Sequence, residues 1–478
     1  MANNYDVAII GSGPAGYVSA IRCAQLGLKT VCVEKVTQEK EVALGGTCLN
    51  VGCIPSKALL ESSLVLLNAN ENLKDHGIKT SKISFDLSQM HERKNGIVST
   101  MSKGVAGLFK LNKIDVIQGQ AYVADEHTLQ IISESDDSNI TAENIILASG
   151  SKPIELPGFP FDEKLLLSSN GALRIEEVPN RVAVIGAGAV GLELGSVWSR
   201  LGSEVTICEA LTEFLPNADD AVSKEALKVF SKQGLNIHLG TEVESLELVE
   251  NKVRMILSNK ELGELEVDKV IFAIGRKPAS EGLFDPKLGI ELEDQGFVKV
   301  NDFCQTDVQN IYAIGDLVRG PMLAHKASEE GIMVAEKIAG KNSSINYKNI
   351  PFVIYTHPEI AWAGYSEKNA LKKDIKVEVG TFPFQANGRA LTSNEGSGFV
   401  KVVVNQEDDS IIGVHALGPS AADVVQQGLI AMESNLTSEQ LGSIMFSHPT
   451  VSEALHEAVL SSKGKAIHIN NRKENESS

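Results

Sequence analysis

The sequence predicts an α/β protein built on two Rossmann-like, doubly wound parallel-sheet units. Two observations carry this reading. A strand–glycine turn–helix–strand pattern occurs twice, and each copy ends in an acid at the same distance from its first glycine. The 478 residues leave room for about three domains at roughly 150 residues each.

The first copy runs Tyr5-Asp6-Val7-Ala8-Ile9-Ile10, then Gly11-Ser12-Gly13-Pro14-Ala15-Gly16, then an alanine-rich helix and a strand from Thr30 to Val33 that meets Glu34. The second runs from Arg181 to Ile185, then Gly186-Ala187-Gly188-Ala189-Val190-Gly191, then a helix and a strand from Glu204 to Cys208 that meets Glu209. Glu34 stands 23 residues after Gly11, and Glu209 stands 23 after Gly186. In such a unit the first glycine makes the tight turn and the second lets the backbone approach a pyrophosphate. The third lets helix and strand pack closely. The helix N-terminus offers free N–H groups and a partial positive charge to the phosphates. The acid accepts hydrogen bonds from a ribose hydroxyl. One such turn alone is commonplace; two complete copies point to two dinucleotide sites. Glu209 favours NAD over NADP, because a carboxylate repels a 2′-phosphate and the next residues are Ala210, Leu211 and Thr212.

Composition is that of a soluble globular protein, 43% apolar and 22% charged. The net charge of −18 argues against nucleic-acid binding, which needs a basic face. It permits a basic protein partner, although such a charge commonly serves only solubility. No apolar run approaches the roughly 18 residues of a membrane span. The first apolar run, Val7 to Ile10, leads into a glycine turn and has no basic segment before it, so no leader is expected and the chain is placed in the cytoplasm. Six cysteines are too few for a disulfide scaffold.

Two of those cysteines stand apart, in Gly45-Gly46-Thr47-Cys48-Leu49-Asn50-Val51-Gly52-Cys53-Ile54-Pro55-Ser56-Lys57. A helix is expected from Leu49 through Leu67. In a regular helix residues five apart have Cα atoms roughly 8–9 Å apart, whereas a disulfide needs less than about 7 Å. Joining Cys48 to Cys53 therefore requires a distorted first turn, which Gly52 and Pro55 make easy. A strained, accessible disulfide is the labile, catalytic kind. The plainer reading, small buried thiols, suits Cys23, Cys32, Cys208 and Cys304. Zinc is disfavoured, since no second Cys or His pair lies at ligand spacing. Lys57 falls on the same helical face as Cys53 and needs a partner if buried. Glu193 is one candidate; it reads equally well as a carboxylate favouring the first turn of its own helix.

The Gly45–Lys57 string resembles the active-site signature of the pyridine nucleotide–disulfide oxidoreductases, and the likeness extends from Tyr5 to about Leu460. Thr306-Asp307-Val308 to Ile314-Gly315-Asp316 resembles that family's second FAD motif, and Met322-Leu323-Ala324-His325 the segment lining the flavin. Ile146-Leu147-Ala148-Ser149-Gly150-Ser151 and Ile271-Phe272-Ala273-Ile274-Gly275-Arg276 resemble its crossovers, with serine at 149 where threonine is usual. The resemblance implies FAD contacts at Gly11, Gly13, Pro14, Gly16, Glu34, Gly46, Thr47, Lys57, Ser149, Gly150, Ser151, Asp316 and residues 322–325. It implies NAD contacts at Gly186, Gly188, Ala189, Val190, Gly191, Glu193, Glu209, Val243 and Gly275. It divides the chain into an FAD-binding domain (1–150), an NAD-binding domain (151–276), a central segment completing the FAD site (277–347) and a C-terminal α+β dimerisation domain (348–478).

Within the family the chain is most similar to the dihydrolipoyl dehydrogenase branch, through Gly191-Leu192-Glu193-Leu194-Gly195-Ser196-Val197-Trp198, Glu209 and Ser447-His448-Pro449-Thr450-Val451-Ser452-Glu453-Ala454. Many members carry a histidine where Phe446 stands. The likeness implies a homodimer in which His448, oriented by Glu453, is the base for the other subunit's Cys48–Cys53 disulfide. It implies oxidation of protein-bound dihydrolipoamide with reduction of NAD. The partner would be a lipoyl-bearing acyltransferase or carrier domain of a 2-oxo acid dehydrogenase or glycine cleavage complex. Alternatives are a disulfide reductase of another thiol on the same scaffold, or a flavin-bearing binding subunit with no need of the cysteines, lysine and histidine together.

Overall fold

Strand Asn4–Ile10 lies at the middle of a seven-stranded sheet, parallel to Thr30–Glu34 on one side and to Ser138–Leu147 on the other. Asp115–Gln118 extends the sheet beyond Thr30–Glu34, and Ile311–Ala313 returns from far along the chain to pair in parallel with Ser138–Leu147. Gln120–Val123 and Thr128–Ile132 complete it as an antiparallel excursion. Val7, Ala8 and Ile9 are fully buried, as a continuous apolar run requires when a parallel sheet is covered on both faces. The computed structural model describes residues 4–38, 41–81, 83–133 and 137–471, so the extreme ends of the expected first and last domains lie outside the described residues.

The second unit repeats the design. Arg181–Ile185 is parallel to Glu204–Glu209 and to Lys269–Phe272, with Leu235–Leu239 and Leu166–Leu167 outside them. A three-stranded antiparallel sheet, Val243–Val249, Lys252–Leu257 and Glu264–Val267, leads back to it. The two crossing chains, Ser151–Pro153 and Arg276–Pro278, pair antiparallel and form the neck between the units.

The duplication holds at the level of single atoms. Gly11 and Gly186 adopt φ of +98° and +103°, and a Cβ there would lie 2.4 Å from the Ala148 carbonyl oxygen and 2.5 Å from that of Ala273. A Cβ on Gly16 would lie 1.8 Å from the Gly11 oxygen, and on Gly191 1.9 Å from the Gly186 oxygen. In both units the acid accepts two backbone N–H groups: Ser12 (2.8 Å) and Val36 (2.9 Å) onto Glu34, Ala187 (2.8 Å) and Leu211 (2.9 Å) onto Glu209. Each acid thus ties the end of its second strand to its own glycine turn.

The C-terminal part is an antiparallel sheet ordered Phe352–Ile354, Glu359–Gly364, Ile411–Gly418, Phe399–Asn405, Val377–Pro383. Helices Ala421–Glu433 and Glu453–Ser462 pack on it around Phe382, Val402, Val414, Leu429 and Leu455. Gly380 lets the second helix touch the outer strand, since a Cβ there would lie 1.9 Å from the Ala458 oxygen. Buried Lys401 binds Asp219 of the second unit (2.9 Å) and Glu367 (2.8 Å), fastening the C-terminal sheet to that unit.

The glycine contacts make a paired prediction. Gly16→Ala and Gly191→Ala should each cost about 1–3 kcal/mol of stability through overpacking. Gly188→Ala, whose Cβ would meet nothing within 4 Å, should change stability by less than about 0.5 kcal/mol while weakening nucleotide binding at the second turn. Urea unfolding and NAD titration measure the two effects separately.

Candidate active site

The expected helix over 49–67 is in fact two helices. One spans Gly46–Val51 and the next Cys53–Glu71, and the chain breaks between them at Gly52. A Cβ at Gly52 would press on the Thr47 oxygen at 3.0 Å and the Cys48 Cα at 3.4 Å, so a side chain there would have to push this turn open. Pro55 sits in the first turn of the second helix, where a missing N–H costs nothing. The break brings the two sulfurs close enough for each thiol to shift the other, raising Cys48 and lowering Cys53. The helix also starts three residues earlier than expected, because Gly45 and Gly46 at φ +110° and +60° turn the chain into it directly. Asn50 pins that turn by donating to the carbonyls of Gly46 (3.0 Å) and Leu44 (3.2 Å).

The two thiols are not equivalent. The hydrogen bond from Cys48, together with the Lys57 ammonium, lowers Cys53 to about 7. The Cys48 thiol is pushed up by the same bond and by burial. The other cysteines are the opposite case: burial lifts Cys23 and Cys304 to about 12 and Cys208 to about 11, and raises Cys32 as well. Near neutral pH only Cys53 is ready to be a thiolate.

Lys57 Nζ lies 2.7 Å from Glu193 Oε2, and the Glu193 side chain is only 7% exposed. Of the two readings of Glu193, the structure has it facing Lys57. Its other oxygen accepts the Tyr355 N–H at 3.0 Å, and the Tyr355 ring lies 4.7 Å from the Lys57 ammonium. The pair joins three parts of the chain: the cysteine helix, the helix of the second glycine turn, and the start of the C-terminal sheet.

These groups face a cavity of about 600 Å³ that runs from Glu34, past the first glycine turn, to Cys53 and Lys57. Of the residues expected at the flavin, Gly11, Gly13, Pro14, Glu34, Gly46 and Thr47 line it. So do Ser149, Gly150, Ser151, Asp316, Met322 and Ala324. Gly16, Leu323 and His325 do not. Gly16 is pressed against the Gly11 carbonyl, Leu323 precedes the helix starting at Ala324, and His325 is exposed on that helix. Of the residues expected at NAD, Val190 and Glu193 reach this cavity, at its far wall with Arg174 and Leu194. Gly186, Gly188, Ala189, Gly191, Glu209 and Gly275 lie outside it, around the second turn. Val243 is not with them at the cavity either; it packs on the apolar cluster of Ile185, Cys208 and Phe272.

Among the lining residues that the sequence reading did not assign, three are tied into the site by hydrogen bonds. Arg276 donates from Nε to Ser151 Oγ (2.7 Å) and from Nη2 to the Ser151 carbonyl (2.7 Å), and Ser151 Oγ donates to Asp316 Oδ2 (2.6 Å). The neck between the units thereby reaches the Asp316 turn. Ser12 lines the cavity beside Glu34, and its hydroxyl donates to that carboxylate at 2.7 Å. Asn50 is the third. All three lie inside the motif strings: Ser12 in the first glycine turn, Asn50 between the cysteines and Arg276 at the end of a crossover.

His448 is elsewhere. Its ring is 80% exposed, and no histidine lines the cavity among the described residues. Nδ1 sits 2.9 Å from Glu453 Oε1, while Glu453 Oε2 accepts the Thr450 N–H at 2.8 Å. Burial pushes the Glu453 carboxyl up, but these two bonds outweigh it and hold the group below the usual carboxylate range. The dyad is formed and oriented, yet neither of its residues lines the cavity that holds the thiols. Phe446 stacks on His456 at 4.9 Å, filling the space beside the dyad with an apolar contact.

Residues 5–331 match the pyridine nucleotide-disulphide oxidoreductase family, and residues 350–459 match the dimerisation domain of the same family. The chain belongs to this family. It is 44% identical over 465 residues to dihydrolipoyl dehydrogenase of Cupriavidus necator, covering 96% of this chain and 98% of that one. It is 43% identical to the mitochondrial dihydrolipoyl dehydrogenase of Schizosaccharomyces pombe, covering 97% of this chain and 91% of that one. Among solved structures it resembles the HOCl-induced flavoprotein disulfide reductase of Escherichia coli, with a TM-score of 0.84, 26% identity, and coverage of 95% and 99%. The family's cofactors, FAD and NAD, fit the residues present. The Gly46 and Gly13 backbones are so close that a Cβ on Gly46 would lie 2.5 Å from the Gly13 Cα, leaving a bare peptide wall for a pyrophosphate. Glu34 and Glu209 stand where an adenosine ribose is held in each unit.

The contrast between the thiols is testable on the reduced protein. Alkylation of Cys53 by iodoacetamide, followed by peptide mapping, should rise with pH through about 7. Lys57→Met should move that midpoint up by on the order of one pH unit, since the nearby cation favours the thiolate. An unmoved midpoint would assign the low value to the Cys48 hydrogen bond alone.

Proposed function

We propose that the chain oxidises dihydrolipoamide to lipoamide and passes the electrons to NAD, the activity named for its curated relatives, with Cys48, Cys53, Lys57, Glu193, His448 and Glu453 as the working residues. The carrying observation is a thiol pair, one member poised to ionise near neutrality, at the end of a dinucleotide-sized cavity whose far wall belongs to the second nucleotide unit.

FAD, bound along the cavity, supplies the two-electron carrier between the cysteine pair and NAD. The chain's residues do the rest. A substrate thiol gives its proton to His448, whose other nitrogen is held by Glu453. The thiolate attacks the Cys48 sulfur of the oxidised pair. The Cys48–Cys53 bond breaks, and Cys53 leaves as a thiolate favoured by Lys57. His448 releases the first proton to solvent and takes the proton of the substrate's second thiol, and the thiolate so formed attacks the first substrate sulfur, expelling Cys48. Oxidised lipoamide leaves, and Cys48 takes the proton back as a thiol. The product state is the Cys48 thiol beside the Cys53 thiolate. Glu193 keeps Lys57 in place.

His448 faces outward, so this reading has it act on the cavity of a second copy, supported by the dimerisation-domain match. The partner substrate would be a lipoyl-bearing domain of an acyltransferase or carrier protein, within a 2-oxo acid dehydrogenase or glycine cleavage complex. A cytoplasmic setting is the reading adopted for the chain; no helix among the described residues is long and apolar enough to cross a membrane.

Lipoamide-dependent NAD reduction by the purified dimer tests the reading, with glutathione disulfide as the competing substrate. Turnover of glutathione disulfide but not of lipoamide would reject it. His448→Gln should slow lipoamide turnover at least about a hundredfold, the scale of a lost general base, while leaving NADH-to-quinone transfer near the parent rate. Cys53→Ser should abolish lipoamide turnover.

A further inference from the structure

The turn that carries Asp316 is gripped from behind by a buried ion pair that takes no part in the thiol chemistry. Lys326 and Glu330 stand one turn apart on helix Ala324–Ile338, and each side chain is 1% exposed. Glu330 Oε2 accepts the Gly315 N–H at 2.8 Å, and Lys326 Nζ donates to the Gly315 carbonyl at 3.1 Å. The pair itself closes at 3.1 Å, and the Tyr347 hydroxyl donates to Glu330 Oε1 at 3.0 Å. Both polar groups of one residue are therefore held by charged partners, in bonds stronger and more directional than neutral ones.

The opposite side of the turn is closed as well. Gly315 has φ +75°, and a Cβ on it would lie 3.0 Å from the Ala15 Cβ, on the helix of the first glycine turn. Gly331, one residue past Glu330, lets the two helices meet, since a Cβ there would lie 2.8 Å from the Ala15 oxygen. Caught between helix and ion pair, the turn has one position, and it sets Asp316 against Ser151 at the cavity wall. A buried ion pair is seldom better for folding than apolar side chains of the same size. Its bonds here go to the residue next to a cavity-lining carboxylate.

We propose that Lys326 and Glu330 are positioning residues for FAD: the pair fixes the Gly315–Asp316 turn, and retention of the flavin depends on that grip. The inference rests on the FAD reading of the cavity. The double variant K326M/E330M separates positioning from mere stability, because it replaces the pair with apolar side chains and leaves no buried charge unpaired. Two quantities are measured: the rate at which FAD leaves the diluted holoprotein, followed by free-flavin fluorescence, and the thermal midpoint after the flavin is stripped. The expected result is release at least about tenfold faster, the effect of losing one or two charge-assisted bonds, with the stripped midpoint unchanged or raised. Release within about twofold of the parent would overturn the proposal. If the double variant fails to fold, Tyr347→Phe decides: it removes one bond to Glu330 and no charge. Release about threefold faster supports the proposal and an unchanged rate overturns it. A parent protein that purifies without flavin would instead overturn the cofactor reading beneath it.

Discussion

The chemistry of this chain depends on one break in one helix. Had the segment from Gly46 to Glu71 been a single regular helix, Cys48 and Cys53 would face away from each other, too far apart for a bond. Gly52 ends one helix and starts another, and a Cβ there would crowd the backbone of Thr47 and Cys48. The break costs little, because the second helix begins with Pro55 in its first turn and the Ser56 N–H already reaches the Gly52 carbonyl at 3.0 Å. Everything else at the site is arranged around that bend. Lys57 follows Cys53 by one helical turn, so the same local geometry that pairs the sulfurs sets a cation beside the one that ionises.

Buried charge then holds the separately folded parts in register. Lys57 with Glu193 ties the cysteine helix to the second nucleotide unit. Arg276, through Ser151, ties the neck to the Asp316 turn. Lys401 with Asp219 and Glu367 ties the C-terminal sheet to the second unit. Apolar clusters alone would hold these parts together without fixing their angles, since hydrophobic contact is not directional. Directional bonds between charged groups fix the angles, and breaking one partner of a buried pair is expensive, at about 3–5 kcal/mol. The second nucleotide unit is anchored from two sides, by Glu193 near the cysteines and by Asp219 at the C-terminal sheet.

The two nucleotide units were legible in the sequence because their signal is local. Strand, turn, helix and acid follow one another within about 25 residues, and each residue's task is set by its immediate neighbours. The cysteine helix was legible for the same reason, apart from its early start at Gly46: two consecutive left-handed glycines begin a helix without any capping side chain to announce it. What escaped is what depends on distant pairing. Tyr355 reaches Glu193 across 162 positions and Arg276 reaches Ser151 across 125, and nothing in the local pattern of either residue discloses the other. Glu193 stood undecided between two roles because its partner, Lys57, lies 136 positions away. Val243 was assigned by likeness and not by local chemistry; its side chain packs against an apolar cluster.

The placement of His448 follows from the same separation of local and distant. Residues 447–453 build a complete dyad by themselves: the ring nitrogen meets Glu453 five residues on, and the Thr450 N–H steadies that carboxylate. The oriented ring stands 80% exposed, away from the cavity of its own chain. The cavity, conversely, holds two thiols and no histidine among its described lining residues. In a two-fold pair, whatever one chain presents to the other is returned to it. A single interface through the dimerisation domain would therefore complete two sites at once, each with sulfurs from one chain and a base from the other. On this reading association is a condition of catalysis, because neither half of the proton and sulfur chemistry has a partner until the second copy arrives.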